Sequence, residues 1–458
     1  MNVPTNSTSN PLRTGAAVHD PLYIIGPSMT IGFFAATFLW TTWFITHLPW
    51  LGLAQQVALP IMLAVWFGAF VWGGTFVRAR RVQIGALAGF VSAALGLLIL
   101  FSMIGGAKAS EGAEPGPNKI LMAGAFLVFG ALVGLAGTLA GGVRARGEMF
   151  DSPQDWLGRF AKVAVLATAP LLFVGGLVTS TQSGMAVPDW PTTFGMNMFL
   201  YPLGPRVDPG VYFEHSHRRF GTLVGAASVV LAIFGFVAGP TRFVQRLSVI
   251  AFVLVASQGV LGGMRVIQNK TALAMVHGIS AQLIFACLVV LAVHLSRGYQ
   301  AVSSTPVLGA RRAKLFGTLA MHSLIVQLVL GAAYRHLRHD HILYTHALFA
   351  FLVTFGAFIA AATAWGLRDA RTSEPLPASG LPARASSKHS SSSPAWLGIA
   401  AATTRRETGP DSSSAAPRAL WTPRAQNTVA ARAVKNTGEV RGWAWFIPPR
   451  DGSNRPGR

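Results

Sequence analysis

The chain has 458 residues, of which 52% are hydrophobic and only 12% charged, whereas a soluble domain carries roughly 25% charged residues. Its formal net charge is +21, but much of the excess lies in short clusters between apolar runs, so no nucleic-acid-binding surface is expected. The composition therefore excludes an ordinary soluble domain and favours a protein whose partner is membrane lipid.

Ten apolar runs have the length, about 18 residues or more, that a helix needs to cross a bilayer. Their approximate ranges are 23–47, 53–77, 82–106, 119–143, 160–180, 217–239, 246–264, 271–294, 314–334 and 342–366. We therefore predict an all-α polytopic membrane protein with about ten transmembrane helices.

The basic clusters occupy alternate loops between these spans. They are Arg78-Ala-Arg80-Arg81, Arg144-Ala-Arg146, Arg242 with Arg246, and Arg311-Arg312-Ala-Lys314. With ten spans, all four clusters fall on the side of the N-terminus, and the positive-inside rule assigns that side to the cytoplasm. We predict a multi-pass protein of the inner cell membrane with both termini cytoplasmic and one large outer loop, 181–216.

Composition divides the chain into five parts. Residues 1–20 form an N-terminal cytoplasmic segment, and 21–145 form four spans of unknown role. Residues 155–300 and 301–366 contain six spans and most of the histidines. Residues 367–458 form a basic tail rich in Ser and Pro, which is predicted to be disordered because it contains no long apolar run. Alternatively, the coding sequence loses its reading frame near residue 367, so that the tail is not genuine protein sequence.

Two stretches of the chain repeat with a shift of 69 residues. The shared positions are a Gln, a Leu-Gly pair and a His: Gln258, Leu261, Gly262 and His277 in the first stretch, and Gln327, Leu330, Gly331 and His346 in the second. The repeat predicts a duplicated helix pair with an imidazole in each second helix. Imidazole is a common ligand of heme iron, and ionisable groups inside membrane helices mark functional sites. We therefore predict a heme-binding helix bundle.

Three neighbouring residues are further candidates. Gln258 and Gln327 are predicted to lie near the histidines, either in contact with the cofactor or as interhelical hydrogen bonders. His322 is another candidate metal ligand, although its place near the inner start of its span predicts a different membrane depth from that of His346.

The large outer loop contains Pro188-Asp189-Trp190-Pro191, and the sequence Glu214-His215-Ser216-His217-Arg218 follows at the start of the next span. Glu214 and His217 are three residues apart and share a helix face. If His217 binds iron, Glu214 lies near the porphyrin edge, where a carboxylate can exchange protons. The alternatives are an interfacial turn around Trp190 and a surface ion pair between Glu214 and Arg218.

Together these motifs carry a family resemblance. The pattern Gly-x-x-x-Pro-Asp-Trp-Pro, followed by Glu-x-x-His-Arg, Gln-x-x-x-Gly and a His, resembles the heme A synthase family, the CtaA type of cytochrome oxidase assembly protein, over about 160–366. The resemblance implies eight helices in two four-helix bundles, each with a paired-histidine heme site. One site holds the substrate heme O and the other a cofactor heme b.

The resemblance implies an oxidoreductase that converts the C8 methyl of heme O to the formyl of heme A. In this chain His217 and His277 would be the ligands in the first bundle, Glu214 the catalytic carboxylate and His346 a ligand in the second bundle. Arg218 and Arg265 are expected to contact the heme propionates, although either could simply extend to the water interface. Heme O synthase, components of cytochrome c oxidase assembly and a second copy of the chain are the expected protein partners.

The chain departs from the family pattern in three respects. Val187 and Thr193 stand where some members carry two cysteines, four extra spans precede the resemblance, and the second bundle has one histidine, His346, at a ligand position where the family has two. The second site is then either completed by another subunit, or its last two helices are lost. Two other functions stay open: a membrane di-heme electron-transfer protein, and a non-catalytic heme-handling protein of oxidase assembly.

Overall fold

The computed structural model describes residues 20–105, 117–145, 152–203, 207–301 and 309–372. Ten of the helices in these ranges are long and apolar enough to cross a membrane. The predicted class, an all-α polytopic membrane protein, is therefore confirmed. Residues 1–19 and 373–458 lie outside the described residues, and with them almost all of the predicted N-terminal segment and disordered tail.

We number the helices in chain order. They are α1 Leu22–Thr46, α2 Gln55–Gly74, α3 Arg81–Gly105, α4 Pro117–Gly142, α5 Pro153–Ser180, α6 Pro209–Ala238, α7 Arg242–Gln268, α8 Thr271–His294, the short α9 Arg297–Gln300, α10 Ala310–Leu337 and α11 Asp340–Thr372. Three bounds differ from expectation by more than five residues: α5 begins seven residues before 160, α6 begins eight residues before His217, and α11 continues six residues past the predicted boundary at 366.

Local sequence explains the early starts of α5 and α6. Ser152 and Asp155 form a capping box at the start of α5, in which each side chain accepts a hydrogen bond from the other residue's backbone N–H. Asp208 caps α6 by accepting from the N–H groups of Gly210 and Val211, and Pro209 occupies the first helical position. These polar caps are invisible to a search for apolar runs, so α6 was predicted too short.

The helices pack as two rings and one hairpin. Helices α1–α4 form the first ring, in which α1 contacts α2 and α3, and α4 contacts α2 and α3. Helices α5–α8 form a second closed ring in chain order, with α8 returning to α5. Helix α1 packs against α5 and α6, and α3 also reaches α6. The antiparallel pair α10–α11 contacts the second ring through α10 and α8.

Burial is concentrated where the two rings meet. The main hydrophobic cluster is built from α1–α3 and α5–α8, with Trp40, Trp66, Phe160 and Phe220 among its fully buried side chains. By contrast, Ala320 and Val353 are the buried side chains of α10 and α11 within the described residues. An apolar helix pair with so little protein contact is suited to a lipid environment.

Candidate metal centre

Two histidines face each other across the second ring. His217 of α6 and His277 of α8 have ring centroids 6.3 Å apart, with their planes at 82°. A metal lies about 2.0–2.1 Å from a coordinating histidine nitrogen, so two imidazoles on opposite sides of one metal have centroids roughly 6 Å apart. The separation of the two rings therefore matches that of an axial pair of ligands.

Each imidazole lies against a glycine of a neighbouring helix. A Cβ added to Gly175 of α5 would lie 2.9 Å from Cε1 of His217, and one added to Gly262 of α7 would lie 3.0 Å from Cε1 of His277. Any larger residue would press on the ring, since carbon contacts are optimal at about 3.5–4.0 Å. The two glycines therefore leave room for the imidazoles in the orientation observed.

The donor set of this site fits heme. Nδ1 of His217 and Nδ1 of His277 are buried, with no hydrogen-bond partner of ordinary geometry in the described part of the chain. The described part of the chain contains no cluster of three or more His, Cys, Asp or Glu side chains that could hold a metal ion. Two imidazoles are too few for a typical four-coordinate protein site, but histidines are common axial ligands of heme iron, whose macrocycle supplies the other nitrogens.

Glu214 lies one turn before His217 and is only 4% exposed. Its Oε1 forms an ion pair with Nε of Arg218 at 3.2 Å. The pair anticipated as an alternative is thus present, but its two side chains are buried and not at a surface. A carboxylate buried this deeply requires such a partner, because an unpaired buried charge is costly.

Arg218 joins this carboxylate to the outer loop. Its Nη1 donates to the carbonyl oxygens of Asp189 at 2.7 Å and Thr192 at 3.0 Å, and its Nη2 donates to that of Val187 at 3.0 Å. Because the guanidinium presents its donors in a rigid fork, it fixes several acceptors at once. The Pro-Asp-Trp-Pro turn is therefore held beside Glu214 by one side chain.

The turn is also closed from within by Asp189. Its carboxylate accepts hydrogen bonds from the Thr192 hydroxyl at 2.5 Å and from the N–H groups of Phe194 and Gly195, each at 2.8 Å. Burial by itself would raise the pKa of Asp189, but these hydrogen bonds outweigh it and hold the pKa below its ordinary value. Its neighbour Trp190 packs directly on Gly263 of α7, so the interfacial-turn interpretation describes only part of its role.

The predicted propionate contacts of Arg218 and Arg265 stay predictions, because both guanidinium groups already bind the outer loop. Nη1 of Arg265 donates to the carbonyl of Gly184, as Arg218 does to three carbonyls further along. A further basic side chain, Arg335 at the end of α10, donates to the carbonyl of Thr179. Arg218 and Arg265 thus connect the outer loop to α6 and α7, and Arg335 connects α10 to the end of α5.

The two glutamines of the repeat make different contacts. Nε2 of Gln258 donates to the Ser280 hydroxyl, and Nε2 of Gln327 donates to the His346 carbonyl at 3.1 Å. Each glutamine therefore joins the two helices of its own hairpin, in the way expected of interhelical hydrogen bonders. Oε1 of both side chains is buried without a partner in the described residues.

The second hairpin repeats the geometry of the first around one imidazole. A Cβ at Gly331 would lie 2.9 Å from Cε1 of His346, and Nδ1 of His346 is buried without a described partner. His322 lies elsewhere on α10: it is exposed, and its Nδ1 is 2.8 Å from the Thr318 carbonyl one turn earlier. The structure brings His217 and His277 together and places His346 in an equivalent hairpin.

The sequence did not single out Gly175, and it did not predict the contacts that Thr193, His215 and Arg219 make in this region. His215 is fully buried, with Nδ1 at 3.1 Å from the Thr193 hydroxyl, and Arg219 is 1% exposed. In the sequence, His215 near the predicted ligand His217 and Arg219 directly after Arg218 were the features that could have indicated these contacts. The burial of Arg219 depends on helices α1 and α3, and no local sequence pattern predicts that these helices contact α6.

Comparisons with known proteins bear on this region. Residues 206–350 match a family described as "Cytochrome oxidase assembly protein". A "Heme A synthase" of Alkalihalophilus pseudofirmus is 34% identical over 126 residues, which are 27% of this chain and 41% of that protein. A "Heme A synthase" of Geobacillus kaustophilus is 31% identical over 184 residues, 39% of this chain and 55% of that protein.

A third relative agrees with these two. A "Heme A synthase" of Halalkalibacterium halodurans is 31% identical over 126 residues, 27% of this chain and 41% of that protein. The chain thus spans 41 to 55% of the length of these curated relatives. No solved structure matches the chain.

Proposed function

We propose that the protein is a heme A synthase-like oxidoreductase, since residues 206–350 match a family described as "Cytochrome oxidase assembly protein" and three curated heme A synthases are 31 to 34% identical to parts of the chain. Its substrate would be heme O, whose C8 methyl is oxidised to the formyl of heme A for cytochrome c oxidase. The observation that carries this proposal is the pair of imidazoles of His217 and His277 with ring centroids 6.3 Å apart. That geometry suits an iron porphyrin between α6 and α8.

Each residue of the site would have a different role, which its position determines. His217 and His277 would hold the iron through one nitrogen each. The bound group would supply the oxidisable methyl if it is heme O, or redox capacity if it is heme b. Glu214 would exchange protons through Oε2, because Oε1 is engaged by Arg218. The loop held by Arg218 would limit the access of water to the site.

Further proposals follow for the rest of the molecule. His346 would bind the cofactor heme b, in the hairpin that repeats the geometry around His277. Heme O synthase, components of cytochrome c oxidase assembly and a second copy of this chain are the proposed partners. We place the protein in the inner membrane with both termini in the cytoplasm, on the strength of its alternating basic loops.

The buried carboxylate favours the synthase over a di-heme electron carrier. Electron transfer alone needs no acid or base beside the porphyrin edge, whereas oxidation of a methyl group releases protons. A carboxylate that is 4% exposed must be stabilised by a partner such as Arg218. This arrangement is difficult to explain by stability alone, because replacing a buried ion pair with apolar side chains is often neutral or stabilising.

The proposal is tested by producing the chain together with a heme O synthase in a host without its own heme A synthase. Extracted pigments are separated and identified by mass. We expect heme A from the wild type, and from Glu214→Gln heme O or an alcohol intermediate, with heme content unchanged. Asp340→Asn is the matched control, because Asp340 is an exposed carboxylate at the start of α11.

Each outcome discriminates between the functions. Heme A from both the wild type and Glu214→Gln would remove Glu214 from the chemistry. Bound heme without heme A in any variant would favour the electron carrier or the non-catalytic heme-handling protein. Heme A from the wild type and from Asp340→Asn alone would support the synthase.

A further inference from the structure

Helix α6 presents a second buried polar face, separate from the face of Glu214 and His217. Tyr212, His215 and Arg219 are spaced by three and four residues, so they lie along one side of the helix. All three side chains are buried, with 2%, 0% and 1% exposure. Their hydrogen-bond partners lie in the outer loop, in α1 and in α3.

Arg219 contacts three elements at once. Its Nη1 donates to the Ile99 carbonyl of α3 at 3.2 Å, and its Nη2 donates to the Tyr201 carbonyl of the outer loop at 3.1 Å. Its Cζ lies 5.9 Å from the ring centroid of Trp43 in α1. In the described ranges no carboxylate pairs with this guanidinium. A buried charge compensated only by carbonyls and an aromatic face is costly, and it is retained where it fixes an arrangement.

Tyr212 and His215 strengthen the same connection. The Tyr212 hydroxyl donates to the Phe44 carbonyl of α1 at 2.7 Å, and the two rings stack at 5.5 Å. His215 joins Thr193 of the outer loop and lies 5.4 Å from the ring of Tyr201. This face of α6 is therefore bound to the extra four-helix ring and to the loop that covers the site.

We propose that helices α1 and α3 set the position of α6, and that Arg219 is the positioning residue that holds α6 and the outer loop in the register His217 requires. This role would explain the four helices that precede the heme A synthase-like region. Lysine cannot replace the guanidinium, because an ammonium lacks the planar fork that reaches two carbonyls in different elements. The part that concerns His217 rests on the proposed function, whereas the part that concerns the loop does not.

Arg219→Lys tests the proposal in the full-length chain purified in detergent. The control is Arg311→Lys, which changes an exposed arginine on α10. Hydrogen exchange is measured in peptides covering 187–203 and in peptides from α2, α4 and α11. We expect Arg219→Lys to speed exchange in the loop roughly tenfold or more, the factor given by losing one charged hydrogen bond. Exchange elsewhere and in Arg311→Lys should match the wild type.

Heme added to the same samples gives the second readout. The electron paramagnetic resonance spectrum of the wild type should show a low-spin iron with two axial imidazoles. Arg219→Lys should shift or broaden this signal in the folded fraction, because α6 moves relative to α8. A loss of thermal stability with an unchanged spectrum and uniformly faster exchange would mark a merely structural residue and overturn the proposal.

Two further outcomes distinguish a failure of the proposed function from a failure of the positioning role. If the wild type shows no bis-imidazole signal, the proposed function fails, while loop exchange in Arg219→Lys still decides the positioning role. If Arg219→Lys does not accumulate, Tyr212→Phe replaces it, since that change removes only the hydrogen bond to Phe44. It should speed exchange at the start of α6 and the end of α1, and unchanged exchange there would refute the positioning role of α1.

Discussion

Adding one methyl group beside His217 should displace its imidazole from its position opposite His277. In Gly175→Ala the new Cβ would lie 2.9 Å from Cε1 and 3.2 Å from Nδ1 of His217. Helix α5 cannot easily yield, because Val174 and Val178 are buried on either side of this position. The imidazole is therefore the group that must move.

The size of the movement follows from the contact distance. To relax from 2.9 Å to the roughly 3.5 Å optimum of a carbon contact, the ring must shift by about 0.6 Å. Metal–ligand distances hold within about 0.2 Å, so this shift is too large for an intact iron–nitrogen bond. Overpacking costs about 1–3 kcal/mol, which corresponds to roughly 5- to 150-fold weaker heme retention.

Gly176→Ala is the matched control for this substitution. Its Cβ would meet nothing within 4 Å, and it lies in the same helix. Both alanines remove the same backbone freedom and should raise intrinsic helix stability equally, by up to about 1 kcal/mol. Any difference between the two variants therefore reports on the contact with His217.

The assay is the absorption and electron paramagnetic resonance spectrum of purified, heme-loaded protein. Gly175→Ala should convert six-coordinate low-spin iron to a high-spin form and release heme faster on dilution. Gly176→Ala should give the wild-type spectrum. Identical low-spin spectra and heme content in the two variants would refute the idea that His217 binds iron while packed against Gly175.

Two other predictions complete the set. His277→Ala should lose the low-spin signal of the first site and the heme bound there, as measured by pyridine hemochrome content, and unchanged content would exclude His277 as a ligand. Asp189 should make the outer loop sensitive to acid: because its folded pKa is lowered, its contribution is complete above the ordinary value of 3.8 and lost as the pH falls through the folded pKa. Pepsin should therefore cut the wild-type loop faster as the pH falls below 3.8, whereas Asp189→Asn should be cut as fast already at higher pH, and identical cleavage profiles would contradict this role.

Much of the architecture could be predicted from the sequence because bilayer thickness dictates span length. Ten apolar runs gave ten helices, since an unsatisfied backbone is too costly in lipid for any other local structure. The ends of α6 and α11 were predicted less well. A capping Asp208 and the polar first turns of α6 extend the helix beyond its apolar stretch, and hydropathy does not register them.

The contacts of the arginines could not be predicted for a different reason. Arg218 and Arg265 were expected to face propionates because both lie at the outer end of their helices. Their guanidinium groups donate to carbonyls of the 181–203 segment, contacts that the sequence did not predict, while the propionate contacts stay predictions. A loop that folds back over a bundle exposes backbone acceptors at positions that depend on its three-dimensional path. The sequence identifies the arginine donors, but their carbonyl acceptors can be identified only when the fold is known.

The repeat itself was incompletely visible in the sequence. Gly262 precedes His277 by the same interval as Gly331 precedes His346, because both hairpins have short turns. Gly175 and His217 form the same contact between α5 and α6, but the long outer loop lies between them, so no fixed spacing marks the relation. The contact between a glycine and an imidazole is thus a property of each helix pair and does not depend on the length of the loop that joins the two helices. In all three helix pairs, two of which bring their imidazoles together, a Cβ at the glycine would crowd the ring, so we expect the alanine that a helix otherwise favours to be unfavourable at these positions.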